Sequence, residues 1–184
     1  MRTCLRSAVP LLLLVAVAAV AATPASAATV CASADGPTAQ TSTVALANSA
    51  LCLVNQERSS RGLKPLKSNR RLAKAAGGHA RDMVIRGYFS HDSANGATFV
   101  DRIRKAGYVP GRALPSLGED LAWGSGTLGT PREIVTGWMN SPGHRANILD
   151  PRFREAGMGV ALGDPGAGED GVLYALDFGS GGRK

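Results

Sequence analysis

The chain has 184 residues, a formal charge of +7 at pH 7 and 44% hydrophobic residues. That length suits one domain with a real core. Its basic residues are scattered and no basic stripe is interleaved with aromatics, so the charge speaks for solubility and against a nucleic-acid partner, while leaving contact with anionic envelope material open.

Residues 1–27 read as a secretory signal peptide. Arg2 and Arg6 precede an apolar run from Ala8 to Ala22, and Ala25-Ser26-Ala27 supplies the small residues of a cleavage site. The run is short for a membrane span, and no later stretch is long and apolar enough for one. The expected product is exported and soluble. Cys4 leaves with the signal. Cys31 and Cys52 remain and are expected to form a disulfide tying the N-terminal segment to the first helix. Residues 28–44, rich in Ala, Ser and Thr, read as a linker with little core of its own, and residues 45–184 as the domain.

A helical pattern starts at Leu46, with Ala50, Leu53 and Val54 on one face, and stops at Gly62. A second helix is predicted over 69–87. Ser68 or Asn69 can cap it, and Leu72, Ala76, Ala80, Met83 and Val84 form its buried face. A third is predicted over 99–106, with Phe99, Ile103 and Ala106 inward. Residues 118–123 read as a short extended segment. Thr130-Pro131-Arg132-Glu133 opens a fourth helix, with threonine as cap, proline in the first turn and Glu133 completing a capping box. Its apolar face carries Ile134, Val135, Trp138 and Met139. Ser141-Pro142-Gly143 is expected to end it and to deliver His144 into a turn. Two strands follow, 157–162 and 172–178, joined by a turn-rich loop. Several helices and a small hairpin-based sheet predict an α+β sandwich with the sheet covered by helices.

Four features bear on chemistry. His91, Glu119 and His144 are donors that zinc accepts, and three protein ligands leave one position open; their spacing does not show whether they meet or merely cap separate turns. His79, four residues before Met83 on one helix, reads as a packing histidine. The string Gly124-Ser125-Gly126-Thr127-Leu128-Gly129 matches a dinucleotide fingerprint, but the helix after it is followed by a break and not by a parallel strand, so a flexible surface loop is expected. No Gly-x-Ser-x-Gly or His-Glu-x-x-His motif occurs. A serine hydrolase would have to assemble Ser90 or Ser141 with His144 and Glu119.

Phe89-Ser90-His91, Gly118-Glu119-Asp120-Leu121-Ala122, the run from Trp138 to Leu149 and Asp177-Phe178-Gly179 occur in the order found in the CAP superfamily. This is the group of cysteine-rich secretory, antigen 5 and pathogenesis-related 1 proteins. Asn55-x-x-Arg58 and Ala80-x-x-Met83 fit the same pattern. The chain most resembles the bacterial branch, the SCP-like extracellular proteins, over residues 45–179.

The resemblance implies an α-β-α sandwich, with a small, mainly antiparallel sheet between helical layers and a central cleft. In eukaryotic members two histidines and two glutamates line that cleft and can hold a divalent metal, often zinc. By motif, His91, Glu119 and His144 supply three of these groups. Ser141 stands near the place of the second glutamate, with Glu133, eight residues earlier, as one alternative. Asp120 replaces the usual asparagine and is expected to support a histidine or bond the backbone. Zinc is thus one expectation for the cleft. A missing carboxylate weakens charge compensation, and an anion or no ion at all are the alternatives.

Three functions compete at this point. The first is a secreted, monomeric CAP-domain protein of the cell envelope or extracellular space that binds a lipid, a small molecule or an envelope component. The second is a secreted peptidase or esterase using the same cleft. The third is a structural or toxin-like scaffold.

Overall fold

A computed structural model describes residues 31–108, 116–166 and 170–181. The expected signal peptide and Cys4 lie outside the described residues. Five helices and four strands follow one another as α1 (Thr43–Ser59), β1 (Lys67–Ser68), α2 (Arg70–Arg86), α3 (Phe99–Lys105), β2 (Leu117–Ser125), α4 (Pro131–Asn140), α5 (Pro142–Ile148), β3 (Glu155–Leu162) and β4 (Gly171–Gly179). Short 3-10 turns occupy Thr38–Gln40 and Gly126–Gly129.

The strands form one sheet in the order β1-β3-β4-β2. β4 pairs antiparallel with both β2 and β3, and only the two-residue β1 is parallel. Successive strand residues face opposite sides. On one side α2 lays Ala76, Ala80 and Met83 on Leu121, Ala161, Leu173 and Ala175. On the other, Leu46, Ala50 and Val54 of α1, Ile134, Val135 and Trp138 of α4 and Ile148 of α5 cover Val160, Tyr174, Leu176 and Phe178. The α-β-α sandwich is therefore present. No helix among the described residues is long and apolar enough to cross a membrane.

The caps follow the local chemistry. Asn69 accepts from the amides of Arg71 and Leu72 at the start of α2. Thr98 and Asp101 form a reciprocal capping box at the start of α3. At α4 the Thr130 side chain accepts from the Glu133 amide and Pro131 occupies the first turn.

Two expectations need correction. The segment before α1 is not peripheral: Cys31 and Ala34 join the core and Thr38 is buried. The Cys31–Cys52 disulfide and a backbone bond from Arg132 to the Ala34 carbonyl hold it in place. Ser141-Pro142-Gly143 does not leave His144 in a turn. Ser141 is at once the last cap of α4 and the first cap of α5, and Pro142 opens the new helix, where its missing amide costs nothing. The 124–129 loop lies on the surface as expected, with Ser125 to Leu128 exposed, and closes as a 3-10 turn. A Cβ on Gly124 would collide with the Leu128 carbonyl, so glycine serves backbone packing there.

α2 and β3 also touch backbone to backbone. A Cβ on Gly159 would collide with the Gly77 amide. Gly159→Ala is therefore expected to destabilise the domain by roughly 3 kcal/mol, as a core insertion that nothing can absorb; urea unfolding measures this. Replacing both Cys31 and Cys52 by serine removes a cross-link spanning 21 residues and is expected to cost about 3 kcal/mol in the chain-entropy account, read as a lower melting temperature.

Candidate functional site

Glu119 and Asp120 are consecutive on the edge strand β2, so their side chains enter opposite layers. Glu119 faces the α2 layer and stands directly opposite Asp177 of β4. Its side chain is only 1% exposed. Both of its oxygens are occupied: His91 Nδ1 donates to Oε1 at 2.9 Å, and an Arg102 guanidinium nitrogen donates to Oε2 at 2.6 Å. The carboxylate can only accept here, which places a hydrogen on His91 Nδ1.

Arg102 comes from α3 and is itself mostly buried, with 11% of its side chain exposed. Its other terminal nitrogen donates to Ser93 Oγ at 3.1 Å and to the Ala97 carbonyl at 3.0 Å. One guanidinium thus joins the loop after His91 to the edge strand. His91, by contrast, keeps 57% of its side chain in solvent.

Asp120 points into the α1/α4/α5 layer and is fully buried. Asn147 of α5 donates to its Oδ1 at 2.7 Å. The backbone is held from the same side: the Trp138 indole donates to the Leu121 carbonyl at 3.1 Å, which also covers part of an open sheet edge. Arg58, buried at the end of α1, donates to the carbonyls of Ile148, Asp150 and Phe153 just where α5 ends. Those contacts fix α5, and α5 carries His144 in its first turn.

The electrostatics follow from this placement. The bond to Glu119 raises the pKa of His91. Burial lowers that of His144, and a positive His91 lowers it further. The two imidazoles are driven apart, one toward the cation and one toward the neutral base. His79 is buried on α2, and its Nε2 donates to the Ser90 carbonyl at 2.8 Å; burial and then Arg102 lower its pKa. It is the packing histidine expected. Burial pushes Asp120 up to about 7, against the partly offsetting bond from Asn147. Burial first, and then the facing Glu119, hold Asp177 well above the usual carboxylate range. Neither Asp177 oxygen accepts a hydrogen bond among the described residues. A retained proton resolves this, because Asp177 can then donate to Glu119.

Of the expected site residues, His91 and Glu119 touch. His144 lies close enough to feel the charge of His91. Asp120 bonds Asn147, a side chain and not a histidine. Ser141 is half-buried at the α4–α5 junction and makes no capping bond with its side chain. Among the described residues, no group of three or more His, Cys, Asp or Glu side chains is placed to hold a metal ion. Arg102, Asp177 and Asn147 are absent from the sequence-based set. Asp177 lies in the terminal Asp-Phe-Gly motif, which marks the family but gives no role. Arg102 carries no signal at all beside Asp101, Arg104 and Lys105.

Residues 51–177 match the family described as the cysteine-rich secretory protein family. The chain belongs to that family. It is 36% identical over 126 residues to the uncharacterized protein YkwD of Bacillus subtilis strain 168, an alignment covering 68% of this chain and 44% of that protein. The chain thus spans less than half the length of that relative. A solved extracellular protein containing an SCP domain, from Bacillus anthracis strain Ames, is 30% identical; the match covers 73% of this chain and 39% of that one, with a TM-score of 0.57. A cysteine-rich secretory protein from Staphylococcus aureus Mu50 shares the fold at 20% identity and a TM-score of 0.60, over 77% of this chain and 40% of that chain.

Linkage gives a sign to the acid buried beside this site. Asp120 is raised from 3.8 to about 7 in the folded chain. Its contribution to stability is full below its unfolded pKa and is lost as the pH rises through the folded value. Asp120→Asn keeps the acceptor for Asn147 and removes the titration. The variant is expected to gain on the native chain between about pH 4 and pH 8, by up to roughly 4 kcal/mol at the upper end. Urea midpoints across that range measure the difference.

Proposed function

We propose that this protein is a secreted ligand-binding module of the cell envelope or extracellular space, and that its cleft receives the anionic end of a lipid or small molecule between His91 and His144. The observation that carries this reading is the pair of imidazoles with opposed shifts over a fixed acid–guanidinium pair. His91 is held toward its charged form by Glu119, stays accessible, and lies near a neutral His144. A cationic donor beside a neutral one suits a phosphate or carboxylate group better than a bare hydrocarbon. Export is supported by the signal-like residues 1–27, by the Cys31–Cys52 disulfide and by the description of the Bacillus anthracis relative as extracellular.

The test uses short-chain phosphatidylglycerol, with phosphatidylcholine as the zwitterionic comparison, titrated into the purified protein. Saturable shifts of the His91 and His144 imidazole resonances are expected with the anionic lipid. Binding should weaken as the pH rises through the raised pKa of His91, because the cation is lost there. His91→Gln combined with His144→Gln should weaken binding by roughly tenfold or more, the scale of one lost charge-assisted contact. Unchanged binding by the double variant would place the ligand elsewhere.

A further inference from the structure

We propose that Arg102 is the resident cation of this cleft, and that its guanidinium occupies Glu119 so that a divalent metal does not. The inference is independent of which ligand the cleft receives.

Three observations converge on it. First, both oxygens of Glu119 are already engaged. One is bonded by His91 and the other by Arg102, at 2.9 and 2.6 Å. A metal ion taking this carboxylate has to compete with the charge-assisted contact to Arg102, and to use His91 it must displace the hydrogen on Nδ1 or take the other ring nitrogen. Second, the competing cation cannot neutralise itself. An arginine stays protonated in a protein, whereas a lysine pressed by an incoming ion can lose its proton. Expelling metal-ward charge onto Arg102 would therefore leave a nearly buried guanidinium without its carboxylate, which is the unfavourable half of breaking a buried pair. Third, the guanidinium is anchored where it is. Its second terminal nitrogen bonds Ser93 and the Ala97 carbonyl, both in the loop that carries His91. Swinging Arg102 aside would loosen that loop as well.

The rest of the donor set points the same way. Ser141 offers a hydroxyl and no charge. His144 does not complete a three-donor group with His91 and Glu119 among the described residues. Asp177 faces Glu119 across the sheet and is held toward its neutral form, so the charge that needs a cation is that of Glu119 itself. Arg102 is that cation, supplied from within the chain. The zinc expected from the resemblance thus does not fit the cleft as it stands.

The experiment compares metal binding by the purified native chain, Glu119→Gln and Arg102→Ala. Cobalt serves as a spectroscopic probe and zinc as the calorimetric one. For the native chain, any cobalt or zinc taken up is expected to be the same in Glu119→Gln, since Glu119 is not a ligand. Arg102→Ala is expected to bind cobalt roughly a hundredfold more tightly than the native chain, with the visible band of imidazole ligation. Adding His91→Ala to that variant should abolish the gain. One zinc per native chain, lost on Glu119→Gln, would overturn the proposal. So would a folded Arg102→Ala chain that gains no metal. Should Arg102→Ala fail to fold, the side-chain nitrogen resonances of Arg102 in the native chain decide: they are expected to stay unmoved as zinc is added, and their displacement at stoichiometric zinc would refute the assignment.

Discussion

A single carboxylate, buried on an edge strand, imposes its requirements on everything around it. Glu119 cannot remain charged at 1% exposure without partners of opposite charge or strong donors. The fold meets that requirement from two sides, with His91 from the loop after α2 and Arg102 from α3. α3 is short, and its start is fixed by the Thr98–Asp101 box. The loop between α2 and α3 is fixed in turn by Arg102 on Ser93 and Ala97. Much of the α2-side architecture near Glu119 therefore reads as the housing of one charge. The neighbouring acids conform to it: Asp177, opposite Glu119, is pushed toward its neutral form and need not find a second cation.

The other layer solves a different problem with uncharged means. Asp120 enters the α1/α4/α5 side, where a single amide from Asn147 meets it. Trp138 and Arg58 meanwhile bond main-chain carbonyls of β2 and of the α5 exit. These contacts couple the edge strand to α5. They make the position of His144 a property of the core and not of a surface loop.

Much of the fold was legible in the chain. The periodic apolar faces of α1, α2 and α4, the caps at Asn69 and Thr130 and the terminal hairpin all carry local signals that the tertiary structure leaves in force. β1 was not legible, because two residues have no period. α5 was missed because Ser141-Pro142-Gly143 reads as a stop, while proline at a first helical position is equally a start. For the site, the motif order singled out His91, Glu119 and His144, which no spacing could have done; of these, His91 and Glu119 touch. Arg102 was invisible for a physical reason: on a short, charge-rich helix the sequence does not say which basic residue turns inward. Asp177 was hidden inside a strand that otherwise reads as wholly apolar.

The shared cap at Ser141 has one further consequence. Because α4 ends and α5 begins on the same residue, there is no slack between the indole that grips β2 and the His144 imidazole. Trp138 and His144 act as two marks on one jointed rod, with the phase between them set by a single pair of backbone torsions. Each residue of an α-helix turns the side chain by about 100°. Adding or removing one residue after Trp138 would therefore aim His144 at a different wall, with its chemistry intact. In this fold the spacing of that run is itself a structural constraint, as much as the residues that compose it.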